Sequence, residues 1–321
     1  MSEPHKKRRH RKYETAYRVS NWPEYEKSLR DRGDITIWFS QEAIDTWTPE
    51  KTGKRGGQLL YSDLAIETAL TLKMLYHQRL RQTEGFLGSL LKLMGLDLPC
   101  PDHTTLSRRN QTVELRRQLD NLPAGPIRFI VDSTGLKICG QGEWHAKKHG
   151  KKQRRRWRKL HLGVDAGGWI HASKLTEDHE QDPSQVPDLL RQVEREINRF
   201  AGDGIYDREP VYKAVKNHSP GAIIIVPPRQ DAVVSKFPDS TPSQRDRHVQ
   251  RIQEIGRSKW KRETGYYSQS HAENAMFRYK ATFGCWLRAK NMASQENEVA
   301  LGCAILNRMR EMGQPISCPV G

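Results

Sequence analysis

The chain has 321 residues, 54 lysines and arginines against 38 acids, a formal net charge of +16, and only 36% hydrophobic residues. No apolar run reaches the roughly 20 residues needed to span a membrane, and the charged opening MSEPHKKRRHRKY lacks the apolar stretch of a secretory signal. Five scattered cysteines with no CxxC pair argue against a zinc ribbon or a disulfide framework and fit reduced thiols in a cytosol. The basic excess predicts a polyanionic partner, most often nucleic acid. It is concentrated in two runs: Lys6, Lys7, Arg8, Arg9, Arg11 and Lys12, then Lys147, Lys148, Lys151, Lys152, Arg154, Arg155, Arg156, Arg158 and Lys159. The first reads as part of a disordered basic arm over residues 1–20. The second lies between two predicted strands and is the better candidate for phosphate contacts.

A short helix is predicted over residues 23–30, and ITIWFS reads as a brief extended piece. TPEKTGKRGGQ is a Gly- and Lys-rich connector. Helical periodicity begins after Tyr61, with Ser62 and Asp63 opening a helix whose apolar positions run Leu64, Ala65, Thr68, Ala69, Leu72 and Leu75. A second helix starts near Thr83 and stops at Gly95. A third opens at TTLSRRNQ, with Thr104 or Thr105 as its cap. Three compact helices, the last offering Thr105, Ser107, Arg108 and Arg109 near its start, resemble a helix-turn-helix reader of DNA. A plain helical bundle with arginines on its wet face is the alternative. Residues 21–123 are therefore expected to form a helical DNA-binding domain, ended by the Pro/Gly linker DNLPAGP near residue 124.

Beyond the linker the periodicity changes. Residues 128–138 read as a strand, 157–165 and 169–175 as a hairpin around Ala-Gly-Gly. Asp182 with Pro183 reads as the start of a helix carrying Val186, Leu189, Leu190, Val193 and Ile197. RFAGDGIYD is a strand ending at Gly202, 210–216 a helix, and GAIIIVPPR a fully buried strand. Helices follow around 245–254, 270–288 and 298–312. A hairpin followed by β-α-β units gives an α/β mixed sheet with helices on both faces.

Three carboxylates stand out. Asp132 sits between the apolar run Phe129, Ile130, Val131 and the alternating Thr134, Leu136, Ile138, where an ionised side chain is costly unless something neutralises it. Asp203 lies between two glycines where a strand ends, and Glu273 opens a late helix. Several such oxygen ligands suit a pair of hard Mg²⁺ ions about 4 Å apart. Each has a plainer reading: a salt bridge or turn for Asp132, a turn for Asp203, a capping box with Ser270 for Glu273. Asp165 reads as a hairpin turn, Asp182 as a helix cap, Asp207 as a cap or a partner behind the site. His145 and His149, separated by lysines, read as a solvated loop rather than a zinc site.

FIVDSTGLKI, WRKLHLGVD, FAGDGIYD and GYYSQSHAENAMFRYK, in that order, resemble the DDE transposases of bacterial insertion sequences, nearest the insertion-sequence-five family. The resemblance extends upstream through PDHTTLSRR. Around the third acid the family pattern is Tyr, Arg, Glu, Lys; here Tyr266, Glu273 and Lys280 stand in register and Gln269 replaces the Arg. The resemblance implies a ribonuclease H-like catalytic domain over residues 124–321. It implies two Mg²⁺ ions, replaceable by Mn²⁺, held by Asp132, Asp203 and Glu273, one activating water or a DNA 3′-hydroxyl and the other stabilising the leaving oxygen. It further implies binding of terminal inverted repeats and of target DNA, strand cleavage and strand transfer, and work at the bacterial nucleoid. A homo-oligomer is expected from the need to pair two DNA ends. Lys280, seven residues beyond Glu273 on the same helical side, is placed to hold a phosphate with Tyr266. A DNA-binding protein without catalysis is the alternative that Gln269 raises; a nuclease of the same fold is a third.

Overall fold

Alternating apolar residues build the central strand of a mixed sheet, and the two sides of that strand face two different cores. The structure, a computed structural model, describes residues 16–51, 53, 55–116, 119, 122, 124–139, 157–235 and 243–320. Its elements in chain order are β1 (Ala16–Val19), α1 (Trp22–Asp31), α2 (Ile35–Trp38), α3 (Gln41–Asp45), α4 (Asp63–Leu75), α5 (Leu80–Leu93), α6 (His103–Arg109), β2 (Ile127–Ile138), β3 (Trp157–Asp165), β4 (Ile170–Glu177), α7 (Val186–Leu190), β5 (Ile197–Ala201), α8 (Glu209–His218), β6 (Ile223–Ile225), α9 (Gln244–Ile255), α10 (Arg257–Glu263), α11 (Ser270–Phe283), β7 (Trp286–Leu287), α12 (Met292–Met312) and β8 (Ser317–Val320).

The main sheet runs β4-β3-β2-β5-β6, with β7 on β2. β2, β3 and β4 are antiparallel, and β5 and β6 run parallel to β2. Three antiparallel strands followed by two crossover strands make the ribonuclease H-like order. Ile127, Phe129 and Val131 face a core closed by α7 and α8, whereas Ile130 and Leu136 face one closed by α11, α12 and the N-terminal helices. Phe129 is wholly buried because Gly163, diagonally across on β3 and opposite Val131, has no side chain; a Cβ there would lie 2.0 Å from the Phe129 ring.

Trp38, Trp47, Ile66, Leu72 and Leu87 from the N-terminal helices belong to the same buried cluster as Leu160, Tyr279 and Leu306. The helical region and that face of the sheet therefore share one core.

Several local expectations change. Residues 16–20 are not the end of a free arm: β1 pairs antiparallel with β8, Ala16 opposite Val320. ITIWFS is not extended, because Asp34 caps the Thr36 N–H at 2.9 Å and starts α2. α5 begins at Leu80, before Thr83. α6 is capped by Asp102, which accepts the Thr105 N–H, and not by Thr104 or Thr105. The helix after Asp182 stops at Leu190, so Val193 packs from a turn and Ile197 opens β5. The helix from Ser270 ends at Phe283, where Gly284 at φ 87° breaks it before β7. All five cysteines are free.

Candidate active site

β5 pairs with β2 only over Ile127–Ile130, and β7 only at Lys137 and Ile138. Between them that edge of β2 is open, and Asp132 lies in the open stretch, on the face of Ile130 and Leu136. Asp203 follows the end of β5 by two residues, into the same opening. Gly202 makes the turn possible, since a Cβ there would meet the Tyr206 ring at 2.8 Å. Glu273 sits in the first turn of α11, which packs on β2 and β3. It is not part of a capping box, because Ser270 is already helical and its hydroxyl donates to the Tyr267 carbonyl.

Asp132 Oδ1 accepts its neighbour Ser133 N–H at 2.8 Å, and Asp203 Oδ1 accepts the Ile205 N–H at 2.9 Å. Among the described residues no Lys, Arg or His pairs with any of the three carboxylates. Burial, followed by the charges of Asp203, Glu273 and Asp182, raises the Asp132 carboxyl to about 6 against the pull of the Ser133 N–H. Burial and Asp182 likewise raise Asp203. Tyr266 stands within the field of all three acids, and burial together with them pushes its phenol up to about 12.

Uncompensated carboxylates at one strand opening are the donor set of a hard divalent cation. Among the described residues, no three His, Cys, Asp or Glu side chains close around one point tightly enough to enclose a metal. Mg²⁺ characteristically keeps waters and shares substrate phosphates instead of filling an all-protein cage.

Lys280 Nζ donates to Thr134 Oγ1 at 2.6 Å, which sets its ammonium two residues along β2 from Asp132. Gln269 is buried, and its Nε2 donates to the Val131 carbonyl at 3.0 Å, tying the turn before α11 to the strand that carries Asp132. Among the described residues its Oε1 has no hydrogen-bond partner.

Asp182 is not the cap of the helix: it is the first residue of a 3₁₀ turn, 182–185, whose cap position is Gln181. Asp182 accepts from Ser133 Oγ and from Lys159 Nζ, each at 2.8 Å, and braces the back of β2 directly behind Asp132. Sequence reasoning missed this role. Asp207 is fully buried against Arg245, and Asp165 does close the β3–β4 turn, accepting the Trp169 N–H at 3.0 Å.

The other sequence-predicted contacts are scattered. Ser107 and Arg108 are exposed on α6, and Thr105 accepts weakly from Arg108. Arg109 turns inward to Asp63 at 2.6 Å and to the Tyr61 carbonyl. Arg158 pairs with Glu177 and Lys159 with Asp182, so both serve internal contacts. Arg154, Arg155, Arg156, His145 and His149 lie outside the described residues.

Two family models described as "Transposase DDE domain" match the chain, one over residues 30–141 and one over 123–308, the second alone covering more than half of it. Among solved structures, the Drosophila P element transposase strand transfer complex aligns over 91% of this chain and 86% of that chain, at 12% identity and a TM-score of 0.31.

Proposed function

This chain belongs to the DDE-domain transposases, and we propose that it binds the terminal inverted repeats of a bacterial insertion sequence of the insertion-sequence-five type and catalyses Mg²⁺-dependent strand cleavage and strand transfer. What supports the reading is that Asp203 and Glu273, from two other elements, add their charge to burial in raising the Asp132 carboxyl at an open strand edge, and that none of the three has a cationic partner among the described residues. These three would hold the metal. Mg²⁺ or Mn²⁺ bound there would polarise the scissile phosphate and lower the pKa of an attacking hydroxyl.

The chain's own groups do the rest. Lys280, fixed on Thr134, offers its ammonium to a DNA phosphate beside the acids. Tyr266, kept in its phenol form by burial and three nearby carboxylates, is a neutral hydrogen-bond donor to a phosphate or sugar oxygen. Gln269, on the Val131 backbone carbonyl, and Asp182, on the Ser133 hydroxyl, hold β2 on both sides of Asp132 in sequence, so Asp132 keeps its place as DNA arrives. Gln269 motivated the non-catalytic alternative. Its amide still makes a backbone tie to Val131, so the departure from Arg removes a charge without releasing the turn.

Asp132→Asn, Asp203→Asn and Glu273→Gln are each expected to abolish cleavage of a labelled duplex carrying the element's own end, while electrophoretic mobility shift still reports binding. Cleavage that persists in one of them removes that residue from the site.

A further inference from the structure

A groove of about 640 Å³ opens between the start of α5 and the outer side of α6, far from the acids in sequence. Arg79, Arg81 and Gln82 form one wall; Thr104, Ser107 and Arg108 form the other. The three arginines are exposed, and among the described residues none of them pairs with a carboxylate. Two acids stand beside it: Glu84 is turned onto His103, taking its backbone N–H at 2.9 Å and its ring Nδ1 at 2.7 Å, and Asp102 is engaged by the Thr105 N–H at 2.6 Å as the cap of α6. The Thr104 hydroxyl already donates to Asp102 at 2.7 Å; three guanidinium groups, the Ser107 hydroxyl and the Gln82 amide remain on one concavity as donors to acceptor oxygens. In a chain of net charge +16 the matching polyanion is a phosphodiester backbone.

The lining separates duplex from single strand. Proteins that hold single-stranded nucleic acid stack its bases on aromatic side chains, and no Phe, Tyr or Trp lines this groove. The connections separate the two helices as readers. α4 and α5 are joined by four residues, 76–79, with His77 at φ 53°, the one described non-glycine residue with positive φ. α5 and α6 are separated by nine, 94–102. In a helix-turn-helix the reader is the second helix after a turn of 3–4 residues, and it meets DNA with its N-terminal residues. That description fits α5, whose opening turn carries Arg81 and Gln82. Arg109, expected from the sequence as a contact, is engaged inward.

We infer that this groove seats the phosphate backbone of duplex DNA, with Arg79 and Arg81 gripping from α5 and Arg108 from α6, so that α5 and not α6 leads into the DNA. The inference deepens the transposase reading and rests on it.

The test uses the full chain and fluorescence anisotropy of a labelled duplex of arbitrary sequence, with the matching single strand beside it, titrated at several NaCl concentrations. Each phosphate contact contributes about 0.9 to the slope of log K against log salt. Arg79→Ala/Arg81→Ala should lower that slope by about two and Arg108→Ala by about one, with unchanged melting temperatures because all three side chains are exposed. Arg79→Glu/Arg81→Glu should weaken duplex binding further. Arg109→Ala should keep the slope and lower the melting temperature. A double variant with the wild-type duplex slope overturns the inference, as does a loss confined to the single strand. If that variant binds duplex as wild type does and wild type still cleaves its element end, the groove fails alone. If wild type binds no duplex at any salt, the transposase reading fails with it.

Discussion

Asp132 is ionised against the preference of its surroundings. Its folded pKa of about 6 lies above the ordinary 3.8, so the folded state holds the proton more tightly than the unfolded chain between those values. The resulting destabilisation is absent below pH 3.8 and complete above pH 6. Asp132→Asn is therefore expected to raise the melting temperature in EDTA at pH 7.5, by about 2 °C for an effect on the order of 1 kcal/mol, and to leave it unchanged at pH 3.5. An equal rise at both pH values would place the effect outside the titration. Gln269 acts by a different route. Gln269→Leu removes the bond to Val131 and strands a buried carbonyl, a cost of about 1–3 kcal/mol, and should cut cleavage at least tenfold. Gln269→Arg should keep wild-type cleavage in the same assay, because a guanidinium can also donate to that carbonyl. At this scale the odd residues were readable where local pattern exposed them, an acid inside an apolar strand or between two glycines. Asp182 was not, because its partners Lys159 and Ser133 stand 23 and 49 positions away and only the fold joins them.

On the element scale β3 carries a buried histidine that sets an acid limit. His161 has no exposed surface; its Nε2 faces the Thr176 hydroxyl and its Nδ1 has no hydrogen-bond partner among the described residues. Burial pulls its pKa down to about 4. The folded state then binds fewer protons than the unfolded chain between pH 4 and 6.5, so stability is full above pH 6.5 and falls as pH drops toward 4. The loss has an upper bound of about 3 kcal/mol. A pH series of urea melts should show this decline in wild type and a shallower one in His161→Gln. Identical slopes would assign the acid sensitivity to other groups. Strands rich in apolar and β-branched residues, such as β2 and β3, were legible from sequence almost to the residue. α2 was not, because Ile35, Ile37 and Trp38 favour extended backbone while the Asp34 cap favours a helix. The run from Val186 to Ile197 kept a helical spacing across a turn, so periodicity alone joined a helix to a strand.

For the whole molecule, the shared core matters most. Trp38, Trp47 and Leu72 pack with Leu160, Tyr279 and Leu306, and Asn297 of α12 donates to the Asn110 and Val113 carbonyls of the helical region. The full chain should unfold in one calorimetric transition, and a fragment of residues 124–321 should bind a hydrophobic dye strongly. Two resolved transitions would instead make the helical region a self-standing domain. The sequence marked a composition change near residue 124, but burial across that point depends on long-range packing that no local pattern carries. The basic excess announced a polyanion without saying which arginines face outward.

The central claim, that three acids from β2, the end of β5 and α11 form one divalent-cation site, is tested most directly by nicking of a labelled duplex bearing the element's end, wild type beside Glu273→Gln, in Mg²⁺, Mn²⁺ and Ca²⁺. The account predicts nicking by wild type in Mg²⁺ and Mn²⁺, none in Ca²⁺, and none by the variant in any of the three. Equal nicking by both proteins, or tight binding with no nicking by wild type in either Mg²⁺ or Mn²⁺, would contradict it.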